Sequence, residues 1–295
     1  MELERWRALL CVIELGSLSA AAERLHYTAS GISRMMAALE QEVGFPLLHR
    51  RHEGVRPTSE CEALLPSVRE FIFHGENCLA HAASIRGLES GTVTIGTAYS
   101  AYYALLAHVI ARFRQDYPGI LIQLRNGYST QLAAMLEERQ LDLCIISRRE
   151  GSFDWLPLGY DELVAWLPAD HAEADRDAVP VSIFGRAPYI EIFPGQDSDN
   201  ARLFRTCRIR PNTQFTTTDS HSACAMVEAG LGIALNNTLN SRERGRRMSV
   251  LPLAPRQSVE IGIAAVHDAS PAVRLFLKAL QGALEQKNGL VPTLS

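Results

Sequence analysis

The chain has 295 residues, and a prior of roughly 150 residues per domain predicts about two domains. Its formal net charge of −4 at pH 7 gives no global attraction to nucleic acid, so any DNA contact must come from a local arrangement of charge. No apolar run reaches the roughly 18 residues that a membrane span needs, and the first ten residues mix glutamates with arginines, unlike a signal peptide. We therefore expect a cytoplasmic protein without a membrane partner.

The sequence carries no motif of a catalytic or metal site. Its six cysteines are scattered, without a C-x-x-C pair or zinc-finger spacing, so neither a metal site nor a disulfide framework is predicted. No G-x-S-x-G, P-loop or H-E-x-x-H pattern occurs either. We predict that the protein is not an enzyme and needs no cofactor.

Three helices are predicted at the N-terminus. Apolar residues at helical spacing end at Gly16, and Ser17 or Ser19 can cap a short second helix over residues 20–25. Thr28 can then cap a third helix. Because only a short turn separates the second helix from the third, the two cross steeply and the third projects. A projecting helix of this kind can enter the major groove of DNA.

A basic wing follows these helices. Two short strands are predicted over residues 47–50 and 55–57, around a turn at Glu53 and Gly54. Residues 24–39 contain two arginines and no acid, and the wing adds three more arginines. The predicted contact surface is therefore basic although the chain as a whole is not. The wing arginines are Arg50, Arg51 and Arg56.

Residues 59–86 have the pattern of one long linking helix. Apolar residues follow a three-four alternation, Gly75 fills one seam position, and Pro66 must lie in the first turn or kink the helix. The apolar stripe has two candidate partners, a second copy of the chain or the chain's own DNA-binding domain. We expect the first, a dimer. The stripe consists of Leu65, Val68, Ile72, Leu79 and Ala82.

From residue 90 onward strands alternate with helices, which is the pattern of a parallel α/β sheet. Two α/β lobes account for this order most simply, with the strand over residues 259–266 and the C-terminal helix returning the chain to the first lobe. The predicted strands are 92–97, 120–125, 142–146, 163–167, 188–192, 214–217, 232–235 and 259–266. The predicted helices are 102–117, 130–140, 200–207, 221–229 and an amphipathic C-terminal helix with Val273, Phe276, Leu277 and Leu280.

These residues resemble a LysR-type transcriptional regulator, and the resemblance covers essentially the whole chain. In the N-terminal part it is carried by residues 16–22, Leu25, Thr28, 32–34, 39–40, 43–44, 47–48, Arg50 and Thr58. Further along it is carried by residues 91–96, 111–113, 117–118, 141–143 and 227–234. The chain is identified as a member of this family.

The resemblance implies an α/β fold with three parts. They are a winged helix-turn-helix DNA-binding domain (1–58), a dimerising linker helix (59–88) and an effector-binding domain similar to periplasmic binding proteins (89–295). Within the last part, lobe I is expected over approximately 89–161 and 266–290, and lobe II over 162–265. The implied partners are double-stranded DNA with a pseudo-palindromic operator, a small-molecule effector, a second copy in a homodimer or homotetramer, and RNA polymerase.

Family position also assigns the DNA contacts. Ala29 stands where the family often has glutamine, so one potential adenine contact is missing. Arg50 is expected to support the wing, and Arg50, Arg51 and Arg56 are expected to contact DNA. The start of the recognition helix is expected to touch phosphates and base edges through Thr28, Ala29, Ser30, Ser33 and Arg34.

For the effector, the family places contacts after the first strand, at the start of the second helix of the effector domain and at the crossings between the lobes. Hydroxyls and helix N-terminal amides that converge in a cleft suit a carboxylate or a similar anion. An anionic effector is therefore expected. The candidate contacts are Ser100, Ala101, Ser129, Thr130, Ser147, Thr217 and Thr218.

A redox-sensing regulator is the alternative function. Cys207 lies among Arg202, Arg205, Arg208 and Arg210, and neighbouring cations lower the pKa of a thiol and make it reactive. Loss of a peroxide response in a Cys207→Ser variant would support this alternative.

Overall fold

The computed structural model describes residues 2–51, 54–85, 90–241 and 248–288. The chain divides into two compact units, residues 1–88 and 89–295. None of the helices in the described ranges is both long and apolar enough to cross a membrane.

The N-terminal unit confirms the predicted order of three helices, a two-stranded wing and a long helix. Its elements are α1 (Leu3–Leu15), α2 (Leu18–Arg24), α3 (Ala29–Val43), β1 (Leu48–Arg51), β2 (Gly54–Pro57) and α4 (Ser59–Ile85). Ser17 caps α2 by accepting a hydrogen bond from the backbone N–H of Ala20. Gly16 and Gly44 end α1 and α3 in the left-handed conformation, which glycine adopts without strain.

Two contacts hold the wing against the helices. Glu40 of α3 accepts hydrogen bonds through Oε1 from the backbone N–H groups of Leu47 (2.9 Å) and Leu48 (3.3 Å). On the other side, Val55 N–H donates to the carbonyl of Gly16 at 2.8 Å. A Cβ at Gly54 would lie 2.9 Å from that same carbonyl oxygen, so the approach requires glycine. Of the predicted turn, Glu53 lies outside the described residues.

The first part of α4 packs on its own DNA-binding unit, and the far part does not. Val68 and Ile72 are buried in the core of the N-terminal unit, and Gly75 lies close to Leu3 of α1. Further along, Leu79 is 61% exposed. The first part of the apolar stripe therefore packs against the chain's own DNA-binding domain, and the part near Leu79 remains exposed.

Pro66 lies inside α4 rather than in its first turn. Its missing N–H removes one hydrogen bond of the helix.

The C-terminal unit begins with three parallel strands and the helices between them. Its elements are β3 (Gly91–Thr97), α5 (Tyr103–Asp116), β4 (Ile120–Asn126), α6 (Ser129–Glu137), β5 (Leu143–Ser147), β6 (Asp154–Pro168), β7 (Val179–Pro180), β8 (Tyr189–Ile192), α7 (Asp199–Cys207), β9 (Thr213–Thr217), α8 (Ser220–Glu228), β10 (Ala234–Asn237), α9 (Thr238–Ser241), β11 (Met248–Ala254), β12 (Ser258–Ala265) and α10 (Pro271–Asn288).

One sheet runs through both lobes of this unit, and β6 joins them. In the described residues its order is β4-β3-β5-β12-β6-β11-β7, and β10 also pairs with β6. Residues 154–162 of β6 pair with β12 and residues 163–168 pair with β10 and β11. Lobe I therefore contains β3 to β5, β12 and the first half of β6. Lobe II contains β7 to β11 and the second half of β6.

The prediction from the sequence did not include the antiparallel part of this sheet. β3 pairs in parallel with β4 and β5, as predicted, but β12 runs antiparallel to β5 and β6. Only the second half of β6 was predicted, because Pro157 and Gly159 interrupt a first half whose side chains are mostly exposed. β11 was missed for a similar reason, since it contains Pro252.

The Glu40 contact gives a testable prediction. Glu40→Ala removes the acceptor of two backbone N–H groups, each worth roughly 1 kcal/mol. We expect hydrogen exchange of the Leu47 and Leu48 amides to speed up by about five-fold or more, measured by mass spectrometry on peptides of the wing. Gln41→Ala, an exposed neighbour on the same helix, is the control and should leave exchange unchanged. Equal exchange in the two variants would contradict the proposed tether.

Candidate DNA-binding surface and effector cleft

The N-terminal half of α3 forms an exposed polar surface. Thr28 caps the helix, because its Oγ1 accepts a hydrogen bond from Gly31 N–H at 3.0 Å. Ala29, Ser30 and Arg34 are exposed, and Ser33 is half-buried. Ser30 Oγ also lies 3.2 Å from Thr28 Oγ1. The predicted DNA-contacting residues of α3 therefore lie together on one surface.

The wing continues that surface. Arg50 donates from Nη1 to Ser33 Oγ at 3.3 Å, which brings the wing and the recognition helix together. Arg34 and Arg56 are exposed and form no ion pair within the described residues. Arg24, in contrast, pairs with Glu14 at 3.1 Å. The side chain of Arg51 lies outside the described part of the chain.

Tyr27 is a candidate contact that sequence reasoning left out. It lies in the turn before α3 and is 45% exposed. His26, immediately before it, adopts a left-handed conformation with φ of 57°, which turns the chain into the helix. A large aromatic residue in the turn between two helices is the signal that could have identified it.

Two adjoining cavities lie between the lobes of the C-terminal unit. The outer cavity has a volume of about 510 Å³ and is lined by Thr97, Ser100, Tyr103, Asn126, Phe193, Thr218, Asp219, His221, Glu228 and others. The inner cavity, of about 60 Å³, is lined by Tyr99, Tyr128, Ser129, Asp199, Asn236, Asn237 and others. Ala98, Phe193, Ser220 and Asn240 line both.

A buried ion pair connects the two lobes behind the inner cavity. Arg149 follows β5 in lobe I, and Asp199 is the first residue of α7 in lobe II. Arg149 Nη2 donates to Asp199 Oδ1 at 2.7 Å, and their side chains are only 5% and 14% exposed. Ser147 Oγ also donates to Asp199, at 2.8 Å from Oδ2. The pair is therefore both desolvated and hydrogen-bonded.

Several donors that the sequence assigned to an anionic effector are already bonded within this network. Ser147 donates to Asp199, and Ser129 Oγ accepts from Ser147 N–H at 3.1 Å. Thr130 Oγ1 accepts from Arg149 Nε at 2.8 Å and donates to the carbonyl of Asp197 at 2.7 Å. The carboxylate that Ser147 and Arg149 bind is therefore a side chain of the protein itself.

The remaining candidate contacts differ in position. Ser100 and Thr218 line the outer cavity and Ser129 lines the inner one, whereas Ala101, Thr130, Ser147 and Thr217 line neither. Thr217 lies beside Asp219, which caps α8 by accepting from Ser222 N–H at 2.8 Å. Hydrogen bonds from Ser222 lower the pKa of Asp219, so its charge persists at neutral pH.

Asparagines that sequence reasoning did not select bound the cleft, among them Asn236, Asn237 and Asn240. Asn240 Oδ1 accepts from the Ser100 backbone N–H and hydroxyl, both at 3.2 Å. Asn236 accepts from Asn240 Nδ2 at 3.1 Å and donates to Ser220 Oγ at 3.1 Å. The side-chain nitrogen of Asn237 is buried without a hydrogen-bond partner in the described residues. The consecutive Asn236 and Asn237 at the end of a buried strand were the available signal.

Tyr99 is the most deeply buried polar side chain of the inner cavity, at 2% exposed. Burial raises the pKa of its hydroxyl far above the usual range, and the nearby Asp199 carboxylate adds to the effect, with Ser147 acting in the opposite direction. The hydroxyl is therefore neutral, and it has no hydrogen-bond partner within the described ranges. Ser147 Oγ already donates to Asp199 and accepts from Arg149 Nη1 at 2.8 Å.

The surroundings of Cys207 differ from those that the sequence suggested. Arg202 and Arg205 both pair with Asp197, and their hydrogen bonds lower the pKa of that carboxyl to about 2. Cys207 is half-buried against one apolar cluster of lobe II, and Cys224 is buried in another. No group of residues in the described ranges has the arrangement of a metal site.

Both units match one protein family. Residues 3–62 match the bacterial regulatory helix-turn-helix protein of the LysR family, and residues 86–285 match the LysR substrate binding domain. The chain belongs to the LysR family of DNA-binding transcriptional regulators, which are not enzymes.

Relatives of known sequence and structure agree with this assignment. The chain is 25% identical to the uncharacterized HTH-type transcriptional regulator YvbU of Bacillus subtilis, over 94% of this chain and 97% of the relative. It is 28% identical to the Hca operon transcriptional activator HcaR of Escherichia coli, over 80% of this chain and 81% of the relative.

Two solved structures share the fold. Full-length OxyR C199D from Pseudomonas aeruginosa matches with a TM-score of 0.67 at 19% identity, covering 97% of this chain and 95% of that one. Full-length CbnR in complex with its target DNA matches with a TM-score of 0.61 at 18% identity, covering 96% of this chain and 100% of that one.

The ion pair between the lobes gives a stability prediction. Asp199→Ala leaves the Arg149 guanidinium buried without its counter-charge, which costs roughly 3–5 kcal/mol. We expect the calorimetric transition of the C-terminal unit in the full chain to fall by about 6 °C or more. Arg256→Ala is the control, because it breaks an ion pair with Glu162 whose side chains are 70% and 37% exposed, and it should cost less than about 1 kcal/mol. Equal shifts in the two variants would contradict a structural role for the buried pair.

Proposed function

We propose that the protein binds a pseudo-palindromic operator through its winged helix-turn-helix and that a small molecule bound between its two α/β lobes modulates this binding or promoter activation. The observation that carries the DNA part is the exposed N-terminal half of α3, joined to the wing by the Arg50–Ser33 hydrogen bond. The observation that carries the effector part is the pair of polar cavities between the lobes.

In this proposal α3 enters the major groove with its N-terminal end towards the bases. Arg34 reads a base edge, since a guanidinium can form two parallel hydrogen bonds with guanine. The hydroxyls of Thr28, Ser30 and Ser33 contact phosphates or base edges. Ala29 packs against the DNA without a polar contact, and Tyr27 is a further DNA contact. The wing arginines Arg50, Arg51 and Arg56 bind phosphates. Phosphate contacts set the position, and base contacts set the sequence.

The protein acts as a dimer and, through the C-terminal units, as a dimer of dimers in the cytoplasm, where it also contacts RNA polymerase. The open part of α4 supports the dimer, because Leu79 and Ile85 are 61% and 87% exposed on one helix. A two-fold dimer presents two recognition helices to half-sites about one helical turn or a multiple apart.

Effector binding shifts the balance between lobe arrangements. A ligand that contacts both lobes stabilises the arrangement in which those contacts coexist, and it can shift the equilibrium only by its differential affinity for the two. A coupling of roughly 1–3 kcal/mol changes operator affinity by about 5- to 150-fold.

Arg34→Ala tests the assignment of the recognition helix. Loss of a bidentate base contact should weaken operator binding by roughly 1–3 kcal/mol and relax the sequence preference at one base pair. Arg5→Gln is the control, because it removes the same charge from α1, where Arg5 pairs with Glu2. Binding is measured by fluorescence anisotropy over a series of salt concentrations. Unchanged affinity of the Arg34 variant would remove the assignment.

Leu79→Glu tests the role of α4 in the dimer. A charge on the open apolar surface should weaken self-association, measured by sedimentation equilibrium, because the carboxylate would be desolvated in the interface. His81→Glu introduces the same charge two residues away at another exposed position and should have a smaller effect. If both variants associate as tightly as the native chain, the dimer does not use this surface.

A further inference from the structure

The inner cavity contains two buried polar atoms without partners. The hydroxyl of Tyr99 and the side-chain nitrogen of Asn237 form no hydrogen bond within the described residues, and the two residues are 2% and 7% exposed. Both residues line the inner cavity. Native proteins pair the large majority of their buried polar groups, because an unpaired one is costly. These atoms therefore indicate a polar group that is bound between the lobes.

Asp199 determines which groups can bind there. Its carboxylate lines the same cavity, and it already takes the donors of Ser147 and Arg149. The carboxylate of an effector would be repelled by the like charge of Asp199, and the donors of Ser147 and Arg149 would not be available to bind it. A bound group that carries a hydrogen-bond donor avoids this conflict, because it can donate to a remaining lone pair of Asp199.

The hydrogen-bonding inventory selects a hydroxyl. Asp199 only accepts, the Asn237 nitrogen only donates, and the Tyr99 hydroxyl can do either. An alcohol donates to Asp199 and accepts from Asn237, whereas an ammonium group cannot accept and a carboxylate cannot donate. The volume of about 60 Å³ admits a few heavy atoms, such as a ring hydroxyl or a hydroxymethyl group.

The outer cavity extends the same chemistry. Asp219 and Glu228 provide acceptors, and Glu228 forms no ion pair or hydrogen bond among the described residues. Tyr103 and Phe193 provide aromatic faces on which the C–H face of a ring can lie. A volume of about 510 Å³ accommodates a small molecule with several hydroxyls.

We propose that the effector is a neutral polyhydroxy compound of the sugar or polyol class, one hydroxyl of which enters the inner cavity and bonds to Asp199, Tyr99 and Asn237. This inference rests on the proposed effector cleft. A neutral effector differs from the anionic effector that the sequence predicts. The Asp199 carboxylate already binds donors that an anionic effector was expected to use.

The test uses matched probes with the full-length chain. Glucose, galactose, ribose, arabinose and mannitol are screened by thermal shift, and each sugar is compared with its aldonate and, for the hexoses, its amino sugar. The aldonate carries a carboxylate at C1 on an open chain, and the amino sugar carries an ammonium group in place of one hydroxyl, so each set adds a charge of known sign and keeps the other hydroxyls. Affinities of the probes that stabilise the protein are then measured by titration calorimetry.

Tyr99→Phe is the decisive variant, since it removes only the unpartnered hydroxyl and should leave the unliganded protein as stable as before. It should weaken binding of the responding sugar by about five-fold, the effect of one hydrogen bond. Tyr189→Phe is the matched control, because its hydroxyl is also buried, its ring packs in the apolar cluster of lobe II and the residue lines neither cavity. Asn237→Ala is the second variant and should weaken binding similarly.

The proposal is supported if a neutral compound stabilises the protein more than its aldonate and its amino sugar do. The stabilisation should also be reduced in Tyr99→Phe and unchanged in Tyr189→Phe. Tighter binding of an aldonate or an amino sugar overturns it and leaves the cleft as the effector site. Absence of binding by every neutral member, or equal effects of the two tyrosine variants, also overturns it. The DNA-binding proposal is judged separately, by the Arg34 variant.

Discussion

The contact between Arg149 and Asp199 is the constraint on which the arrangement of the C-terminal unit depends. The chain passes between the lobes twice, along β6 and through residues 255–257 between β11 and β12. These two crossings fix the position of the lobes more firmly than the angle between them. Taking two charges out of water is expensive, and their attraction repays that cost only when the geometry is good and the remaining hydrogen-bonding groups are satisfied. Ser147, with Thr130 on the guanidinium, meets this requirement. The pair therefore stabilises one particular approach of the lobes.

This arrangement has a consequence for regulation. Any movement that separates the lobes exposes Arg149 and Asp199 to water. Hydration of the two charges offsets much of the attraction that is lost, so the free-energy difference between the joined and separated arrangements is smaller than that attraction. Two lobe arrangements that differ by a few kcal/mol are within reach of one small ligand. The two cavities lie beside this contact, so a bound molecule acts on the same balance. Under the proposed function, the DNA-binding unit needs no chemical change, only a changed spacing of the two recognition helices of the proposed dimer.

Much of the fold could be predicted because its signals are local. Gly16, Ser17 and Thr28 mark helix ends by their backbone preferences and hydrogen bonds, and the structure has helices that end or begin at these residues. The cleft could be predicted only in part. Ser100, Ser129 and Thr218 line the cavities, but Asp199, Tyr99 and Asn237 come from three separate segments that meet only after folding.

The internal carboxylate could not be predicted for a physical reason. Sequence shows which residues can donate hydrogen bonds, but not whether another part of the chain already accepts them. Asp199 lies 50 residues after Arg149, and no local pattern relates the two. The first half of β6 was missed on similar grounds, since its pairing with β12 is made across about a hundred residues of sequence.

The central claim, that this chain recognises specific DNA, is tested most directly by selecting bound fragments of genomic DNA with the purified protein over a range of salt concentrations. We expect enrichment of one or a few pseudo-palindromic sites, with the logarithm of the affinity falling steeply against the logarithm of the salt concentration. If no fragment is enriched at any salt concentration, the account of the N-terminal unit as a sequence-specific DNA-binding domain is contradicted.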